Sequence, residues 1–188
     1  VGVSGGVDSM VLMDIMSQLV DYCVVVHCNH RLRSKSAEDA RFVAKEAQQR
    51  GCAFVSQSDD VAARARIGSM SIEEAGREAR YELFTRVASD MGATKVVLGH
   101  HMDDQAETVL MRLIRGSGST GLRGMVPLRE GVFLRPMLNV TRAEIKAYAE
   151  VNGIPFREDE TNADWRFLRN RVRGDLLPEL RQYNPNIV

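Results

Sequence analysis

The sequence predicts an α/β fold in which a parallel sheet is covered by helices on both faces. Short valine-rich runs such as residues 22–27 are too short for helices and apolar throughout, as expected of strands buried on both faces. These runs alternate with segments of helical periodicity, which is the order of βαβ units. A glycine turn at residues 4–9 joins the first apolar run to the first helical segment.

This order of segments predicts a Rossmann-like, doubly wound sheet of five parallel strands with right-handed crossovers. The strands are expected to be the run that ends near Val3 and residues 22–27, 53–57, 95–99 and 132–138. Helices are expected at residues 8–19, 37–50, 71–91, 103–115, 141–152 and 170–182, with capping boxes opening those at Ser71 and Thr141. Residues 58–70 have no clear period and are expected to form a loop with at most one helical turn.

The turn at residues 4–9 has the features of an anion site. Gly5 and Gly6 can take positive φ and let an oxyanion approach the main chain, and Ser4 and Ser9 add hydroxyl donors. The helix that follows directs unpaired N–H groups and a partial positive charge at the same point. The turn therefore predicts a phosphate site.

Asp8 does not fit a simple phosphate cradle, because its carboxylate would repel the anion. A phosphate beside Asp8 needs a cation between the two, and Mg²⁺ is the expected one. The Walker-type loop that ends in Gly-Lys-Ser/Thr is absent from the sequence.

A second polar segment follows the fourth predicted strand, at residues 99–108. Asp104 and Glu107 lie three residues apart, on one face of a helix near its N-terminus, where they could hold Mg²⁺, bind an ammonium group or accept a proton. Asp103 could also simply cap the helix. Two adjacent histidines suggest zinc, but no third ligand follows at a metal-site spacing.

Sheet order decides whether the two polar segments meet. If the first strand is central, its neighbours are the second and fourth strands, and ligands sit beyond the carboxyl ends where the strand order reverses. Residues 4–9 and 99–104 would then face each other across one crevice.

Charge and cysteine content restrict the partners and the compartment. The formal net charge of the 188 residues is zero, but three basic runs contain no acid and favour contact with a polyanion: residues 27–37, 108–129 and 165–173. The cysteines are typical of a reducing, cytoplasmic protein, because they form no Cys-x-x-Cys pair: Cys23, Cys28 and Cys52. No apolar stretch approaches the ~20 residues of a membrane span and no signal peptide is present, so no membrane contact is expected.

The string at residues 4–9, Ser-Gly-Gly-Val-Asp-Ser, resembles the pyrophosphate loop of the N-type ATP pyrophosphatases. That resemblance implies an adenine nucleotide alpha-hydrolase-like fold and ATP as co-substrate. Further ordered segments resemble the tRNA(Ile)-lysidine synthetase family over essentially the whole chain: residues 26–33, 78–84, 99–108, 115–118, 135–138, 159–162 and 169–173.

The family resemblance implies a two-step ligation with ATP and Mg²⁺. ATP adenylates the carbonyl oxygen at carbon 2 of the wobble cytidine in the isoleucine tRNA with a CAU anticodon, and pyrophosphate leaves. The amine of free L-lysine then displaces AMP to give lysidine.

The resemblance also implies roles for residues. The groups at the reacting atoms would be Asp8, Arg80, Asp104, Glu107 and Arg169, with the two acids binding and deprotonating lysine and the two arginines on the adenylated intermediate or phosphates. The nucleotide-binding residues would be Ser4, Gly5, Gly6, Val7, Asp8, Ser9 and His27, with Asp8 as the metal ligand. Contacts to tRNA are expected from His30, Arg33, Arg115, Arg123 and Arg173.

We expect residues 1–138 to form the catalytic ATP-binding domain and residues 139–188 to form a C-terminal helical extension that completes it. A few residues are expected to precede Val1, and the chain is either a short form or a catalytic fragment. A homodimer remains open. Two other functions also remain open at this point: a tRNA-thiolating enzyme of the same superfamily, which needs reactive or cluster-binding cysteines, and a regulatory module that binds ATP without turnover.

Overall fold

The computed structural model describes residues 1–29, 36–118, 121–158, 165 and 167–188. Its α-helices are Val7–Leu19 (α1), Ser36–Gln49 (α2), Val61–Ile67 (α3), Ile72–Asp90 (α4), Met102–Ile114 (α5), Arg142–Val151 (α6), Leu168–Arg171 (α7) and Leu177–Tyr183 (α8), with a π-helical turn, Val172–Leu176, between the last two. Its strands are Val24–Asn29 (β1), Ala53–Ser58 (β2), Val96–Val97 (β3), Leu128–Arg129 (β4) and Phe133–Leu134 (β5). A 3₁₀ turn covers Gly121–Arg123.

The N-terminal segment lies in the middle of the sheet. Gly2 forms parallel bridges to Val26 of β1 on one side and to Leu98, just after β3, on the other. The Gly2 N–H donates to the carbonyl of Val97 at 2.9 Å, and the Val3 N–H donates to the carbonyl of Val26 at 2.9 Å. The expectation that the first strand lies between the second and the fourth is confirmed.

The remaining strands extend the sheet outward from this centre. β2 pairs with β1 in parallel, and β5 pairs with β3 in parallel, which gives the strand order of a doubly wound sheet. The predicted fifth strand is shorter than expected, because only residues 133–134 pair with β3. β4 was not predicted. It pairs with β5 in an antiparallel hairpin, whose turn places Glu130 at φ 54° and Gly131 at φ 68°.

Helices cover both faces of the sheet, as the alternation of neighbouring strand residues shows. Val25 belongs to a buried cluster with residues of α1, α2 and α6, whereas Val26 belongs to a second cluster with residues of α4. In the same way Val97 faces the first cluster and Val96 faces the second. The doubly wound α/β architecture is therefore confirmed. The division of the chain at residue 138 remains a prediction.

Local sequence signals predicted most helix boundaries. Ser71 and Thr141 each form the expected capping box, in which the hydroxyl oxygen accepts from the N–H of the Glu three residues later at 3.2 Å. The expectation of a loop over residues 58–70 was wrong, because α3 occupies residues 61–67 and Asp60 caps it by accepting from the Ala63 N–H at 2.9 Å. In the described part of the chain, no helix is both long and apolar enough to cross a bilayer.

Gly2→Ala is expected to lower the free energy of unfolding by about 1–3 kcal/mol. A Cβ at this position would lie 2.5 Å from Cζ of Phe84, so that buried ring would have to move. Urea unfolding followed by circular dichroism measures the change. Gly118→Ala is the control, since a Cβ there meets nothing within 4 Å. Equal stability of the two variants would contradict tight packing at the centre of the sheet.

Candidate active site

The phosphate loop, residues 4–9, is held in shape mainly by the hydroxyl group of Ser9, with a further contact from the Gly6 N–H to the Ser4 hydroxyl. The Ser9 Oγ accepts from the backbone N–H groups of Ser4 at 3.1 Å and Gly5 at 3.3 Å, and it donates to the carbonyl of Gly6 at 3.0 Å. Gly5 has φ +100°, as expected, but Gly6 is extended with φ −75°. Gly6 is therefore not required for its backbone angles. A Cβ at this position would have only the Ser4 Oγ within 4 Å, at 3.6 Å, so it would occupy the open space beside the loop.

The loop opens directly onto the first turn of α1. Gly6 is the residue before α1, and no side chain caps the N-terminus of this helix. The first backbone N–H groups of a helix lack partners within the helix, so those after Gly6 are available to an oxyanion. The geometry fits the phosphate site that the sequence predicts.

Gly99 brings the second polar segment against this loop. A Cβ on Gly99 would lie 3.3 Å from the carbonyl carbon and oxygen of Asp8 and 3.4 Å from the Cα of Ser9. The backbone after β3 therefore touches the start of α1. The two turns meet at one edge of the sheet, as expected from the strand order.

His101 links the two segments at their closest point. Its side chain is 1% exposed, and its Nδ1 accepts from the Asp104 N–H at 3.4 Å while the Asp104 carboxylate accepts from the His101 N–H at 3.2 Å. Its Nε2 lies 3.7 Å from Asp8 and 3.4 Å from Asp104. This imidazole therefore caps α5, and its Nε2 lies near two carboxylates.

Asp8 carries a buried oxygen without a hydrogen bond. No described residue donates to its Oδ1, which is shielded from solvent. Burial raises the pKa of Asp8, and the neighbouring Asp104 raises it further, while His101 and Arg142 oppose the shift. An orphaned carboxylate oxygen beside a phosphate loop suits Mg²⁺, which binds through one or two carboxylates plus phosphates. Within the described ranges, no group of three or more His, Cys, Asp or Glu side chains could hold a metal.

Glu107 is the buried centre of a charge cluster with two arginines. Its side chain is 0% exposed, and it accepts from Arg169 Nε at 2.8 Å and from Arg173 Nε at 2.5 Å. Asp104 lies farther from the same guanidinium groups, at 3.8 Å and 3.6 Å. The structure thus brings three of the expected site residues together with Arg173, which was expected at the tRNA backbone.

The charged groups that act on His100 are mainly basic. Among described residues, Arg80 on α4 forms no ion pair. Burial lowers the pKa of His100 to about 4; Asp104 opposes this shift, and the positive charges of Arg135, Arg169 and Arg80 add to it. The His100 Nδ1 is buried without a hydrogen-bond partner in the described part of the chain. Neutral His100 and buried Arg135 were missed at the sequence level, although Gly-His-His after a strand and Arg-Pro after another were visible signals.

His27 borders the phosphate loop from β1. Its Nδ1 lies 2.9 Å from the carbonyl oxygen of Val3, so this nitrogen carries the proton and donates. Burial lowers the pKa of His27, which keeps the ring neutral at pH 7. The orientation leaves Nε2 as the acceptor, next to the expected nucleotide site.

The expected tRNA contacts are scattered. Arg115 at the end of α5 and Arg123 in the 3₁₀ turn are exposed. His30 and Arg33 lie outside the described residues. Arg112, from one of the basic runs, instead donates to the carbonyls of residues 121 and 124 and so fixes the backbone after α5.

Asp8→Asn is expected to raise the free energy of unfolding at pH 7, because the amide removes a buried, unpaired carboxylate. The raised pKa of Asp8 means that the native state holds this proton more tightly than the unfolded chain does. The gain should be absent below about pH 4, where both states are protonated, and complete above the raised pKa. Urea unfolding at several pH values measures it. A gain of the same size for Asp21→Asn, at an exposed position, would contradict this explanation.

Glu107→Gln is expected to lower the free energy of unfolding by about 1–3 kcal/mol, since two guanidinium groups lose their buried acceptor charge. The arginine side chains are 34% and 26% exposed, so solvent compensates part of the loss. Urea unfolding measures the change, with Glu150→Gln at an exposed position of α6 as the matched control. Unchanged stability of the first variant would show that the cluster contributes nothing to folding.

Comparisons with known proteins agree with this geometry. A family model described as the PP-loop domain matches residues 1–180. The chain is 48% identical over 190 residues to a tRNA(Ile)-lysidine synthase of Geobacter sulfurreducens, which covers 98% of this chain and 40% of the relative. It is 37% identical over 193 residues to a tRNA(Ile)-lysidine synthase of Clostridioides difficile, covering 100% of this chain and 42% of the relative. The chain thus spans less than half the length of these curated relatives.

Two solved structures share the fold at low identity. The U34-tRNA thiolase NcsA from Methanococcus maripaludis, with its 4Fe-4S cluster, has a TM-score of 0.81 at 16% identity and covers 99% of this chain and 67% of that chain. The NH3-dependent NAD synthetase from Campylobacter jejuni has a TM-score of 0.56 at 14% identity, over 99% of this chain and 78% of that one. With the family match over nearly the whole sequence and the phosphate loop at the start of α1, the chain belongs to the PP-loop family of ATP-binding domains.

Proposed function

We propose that the chain is the catalytic domain of a tRNA(Ile)-lysidine synthase. Its substrates would be ATP, the isoleucine tRNA with a CAU anticodon and free L-lysine. The names and identities of the curated relatives support the assignment. The observation that carries it is the contact of Gly99 with Asp8, which puts a phosphate loop and an acid cluster at one cleft.

In the first step, the carbonyl oxygen at carbon 2 of the cytidine attacks the α-phosphorus of ATP, and pyrophosphate leaves. The unpaired N–H groups of the first turn of α1 and the space beside Gly6 would receive the leaving phosphates. Asp8 would hold Mg²⁺, which offsets the repulsion between the carboxylate and the phosphates.

Arg80 and Arg169 are proposed to bind the negatively charged phosphate groups in this step. A planar guanidinium suits phosphate oxygens because it offers two donors in a fixed geometry. Among described residues Arg80 forms no ion pair, so its charge is available to a ligand. The neutral ring of His100, on which both arginines act electrostatically, adds a buried polar nitrogen without a further positive charge.

In the second step, lysine loses a proton and its amine attacks carbon 2, while AMP leaves with the bonding electrons. Asp104 is the proposed proton acceptor, because its contacts to Arg169 and Arg173 are longer than those of Glu107. Glu107 was expected in the same role. Its full burial and two short hydrogen bonds favour a positioning role instead, in which it orients Arg169 towards the intermediate.

The thiolating alternative is disfavoured by where two cysteines lie. Cys23 and Cys52 are buried just before β1 and β2, at the edge of the sheet opposite to the phosphate loop. A sulfur-transfer site at the cleft would then depend on Cys28 alone among the described cysteines, whereas a cluster needs several thiolates. A regulatory module that binds ATP without turnover would not need the acid cluster. Such a module would release no pyrophosphate, so a pyrophosphate-release assay distinguishes it from an enzyme.

Asp8→Ala and Asp104→Ala are expected to lower lysidine formation by about 10² to 10⁴-fold in the full-length protein. Asp8→Ala should also stop release of pyrophosphate, because it acts in the first step. Asp104→Ala should retain this release and block incorporation of lysine. Labelled lysine, ATP, Mg²⁺ and the matching tRNA serve as the assay, with Asp21→Ala as a control at an exposed loop position. Absence of both pyrophosphate release and lysine incorporation in the unaltered protein would refute the proposed function.

A further inference from the structure

The segment that follows α6 reaches back to the phosphate loop. Ile154 is 5% exposed and belongs to the same buried cluster as residues of α1, and Phe156 packs against that cluster. The next residue, Arg157, donates its backbone N–H to the carbonyl oxygen of Gly5 at 2.9 Å. A segment from the last part of the chain is therefore bonded directly to the loop near its beginning.

The side chain of Arg157 holds this segment against the start of α2. Its guanidinium donates to the Asp39 carboxylate at 2.8 Å and lies 3.9 Å from Glu38. It also lies over the ring of Phe42, with Cζ 5.1 Å from the ring centroid, which is within the range of a cation–π contact. The Phe42 ring flanks the loop as well, since a Cβ on Gly5 would lie 3.8 Å from its Cδ1. The Arg157 backbone and the Phe42 ring thus meet at Gly5.

The bond to Arg157 fixes the direction of the peptide group between Gly5 and Gly6. In a trans peptide group, as here, the C=O and the N–H point in opposite directions. Because the Gly5 carbonyl points at Arg157, the Gly6 N–H points away from it, where it makes only a long hydrogen bond of 3.4 Å to the Ser4 Oγ. An oxyanion in the loop can take over this donor.

Two adjacent glycines make the opposite direction of this peptide group sterically accessible. Reversal would move Gly6 from its φ of −75° to a positive φ, which glycine adopts without strain. The Ser9 hydroxyl does not oppose the reversal, because its bonds hold the groups on either side: the N–H groups of Ser4 and Gly5 and the carbonyl of Gly6. A reversed group would direct a carbonyl oxygen at the phosphate, and its partial negative charge would repel the anion.

We propose that Arg157 is a positioning residue of the phosphate loop, which locks the Gly5–Gly6 peptide group with its N–H turned towards the phosphate. Asp39 and Phe42 hold the Arg157 side chain, and the Arg157 backbone holds the Gly5 carbonyl. The inference rests on the part of the proposed function that places the leaving phosphates at this loop. It requires neither lysine nor tRNA.

The contacts of Arg157 favour this role over direct binding of phosphate by its guanidinium. The guanidinium is already paired with Asp39 and lies over Phe42, whereas the main-chain N–H is the group that reaches the loop. The side chain is 39% exposed, so the ion pair by itself stabilises the fold little. The main effect of the residue is therefore expected on the loop and not on global stability.

Arg157→Gln in the full-length protein tests the proposal, because it removes the charge that binds Asp39 and leaves the backbone N–H in place. The probes are inorganic pyrophosphate and AMP, each titrated separately by calorimetry in the presence of Mg²⁺. We expect the Kd of pyrophosphate to rise about 3 to 10-fold, the size of one lost hydrogen bond, and the Kd of AMP to stay unchanged. Arg157→Lys keeps a charge beside Asp39 and should retain most of the affinity for pyrophosphate.

Arg50→Gln is the matched control, since it breaks ion pairs at the opposite end of α2. Arg50 donates to Asp14 of α1 at 3.0 Å and to Glu46 at 2.8 Å, and its side chain is 15% exposed. Because Arg50 is more buried than Arg157, Arg50→Gln should lower the free energy of unfolding at least as much as Arg157→Gln does. It should leave the Kd of pyrophosphate unchanged.

The titrations separate a failure of this inference from a failure of the proposed function. An unchanged Kd of pyrophosphate in Arg157→Gln, or equal weakening of pyrophosphate and AMP, would overturn the inference. Equal weakening of pyrophosphate in Arg50→Gln would also overturn it, because the effect would then follow from general loss of stability. If only Arg157→Gln binds pyrophosphate more weakly but the unaltered protein incorporates no lysine, the inference stands and the proposed function fails. If the unaltered protein binds no pyrophosphate, both fail.

Discussion

Parallel pairing of the N-terminal segment between β1 and β3 is the constraint on which the site depends. The segment contributes only a few residues, yet Gly2 bonds to both neighbours, so the loop that follows it leaves the sheet at its centre. Because all three strands run in the same direction, their carboxyl ends meet at one edge. Gly99 then allows the backbone after β3 to touch Asp8. A nucleotide loop and an acid cluster that lie about half the sequence apart are thereby joined.

Acidic and basic groups meet at this edge. Asp8 and Asp104 both lie near the Nε2 of His101, while Arg80, Arg135 and Arg169 act electrostatically on His100, and Arg169 also pairs with Glu107. Buried like charges and unpaired polar atoms destabilise a fold, and here they concentrate where a ligand would supply the missing partners. The raised pKa of Asp8 and the lowered pKa of His100 therefore have a common origin in burial next to the cleft.

Sequence reasoning succeeded where the determinant is local. The capping boxes at Ser71 and Thr141 need only residues three apart, and continuous valine-rich runs were enough for the buried strands. α3 was missed because its buried residues Val61 and Ala65 pack against Ala75 of α4, a contact that residues 58–70 alone do not reveal. The sequence brought Asp104 and Glu107 to one helix face but could not show that Glu107 is the fully buried one, paired with arginines 62 and 66 residues later. That difference depends on how the C-terminal helices pack on α5.

The buried ion pairs of Glu107 also couple the C-terminal helices to α5. Its counter-charges come from α7 and the π-helical turn, so separating these elements from α5 would break both ion pairs of Glu107. On this side of the cleft, α5 and the C-terminal helices are thus held together by ion pairs. Any opening of the cleft would therefore have to use other parts of its edge.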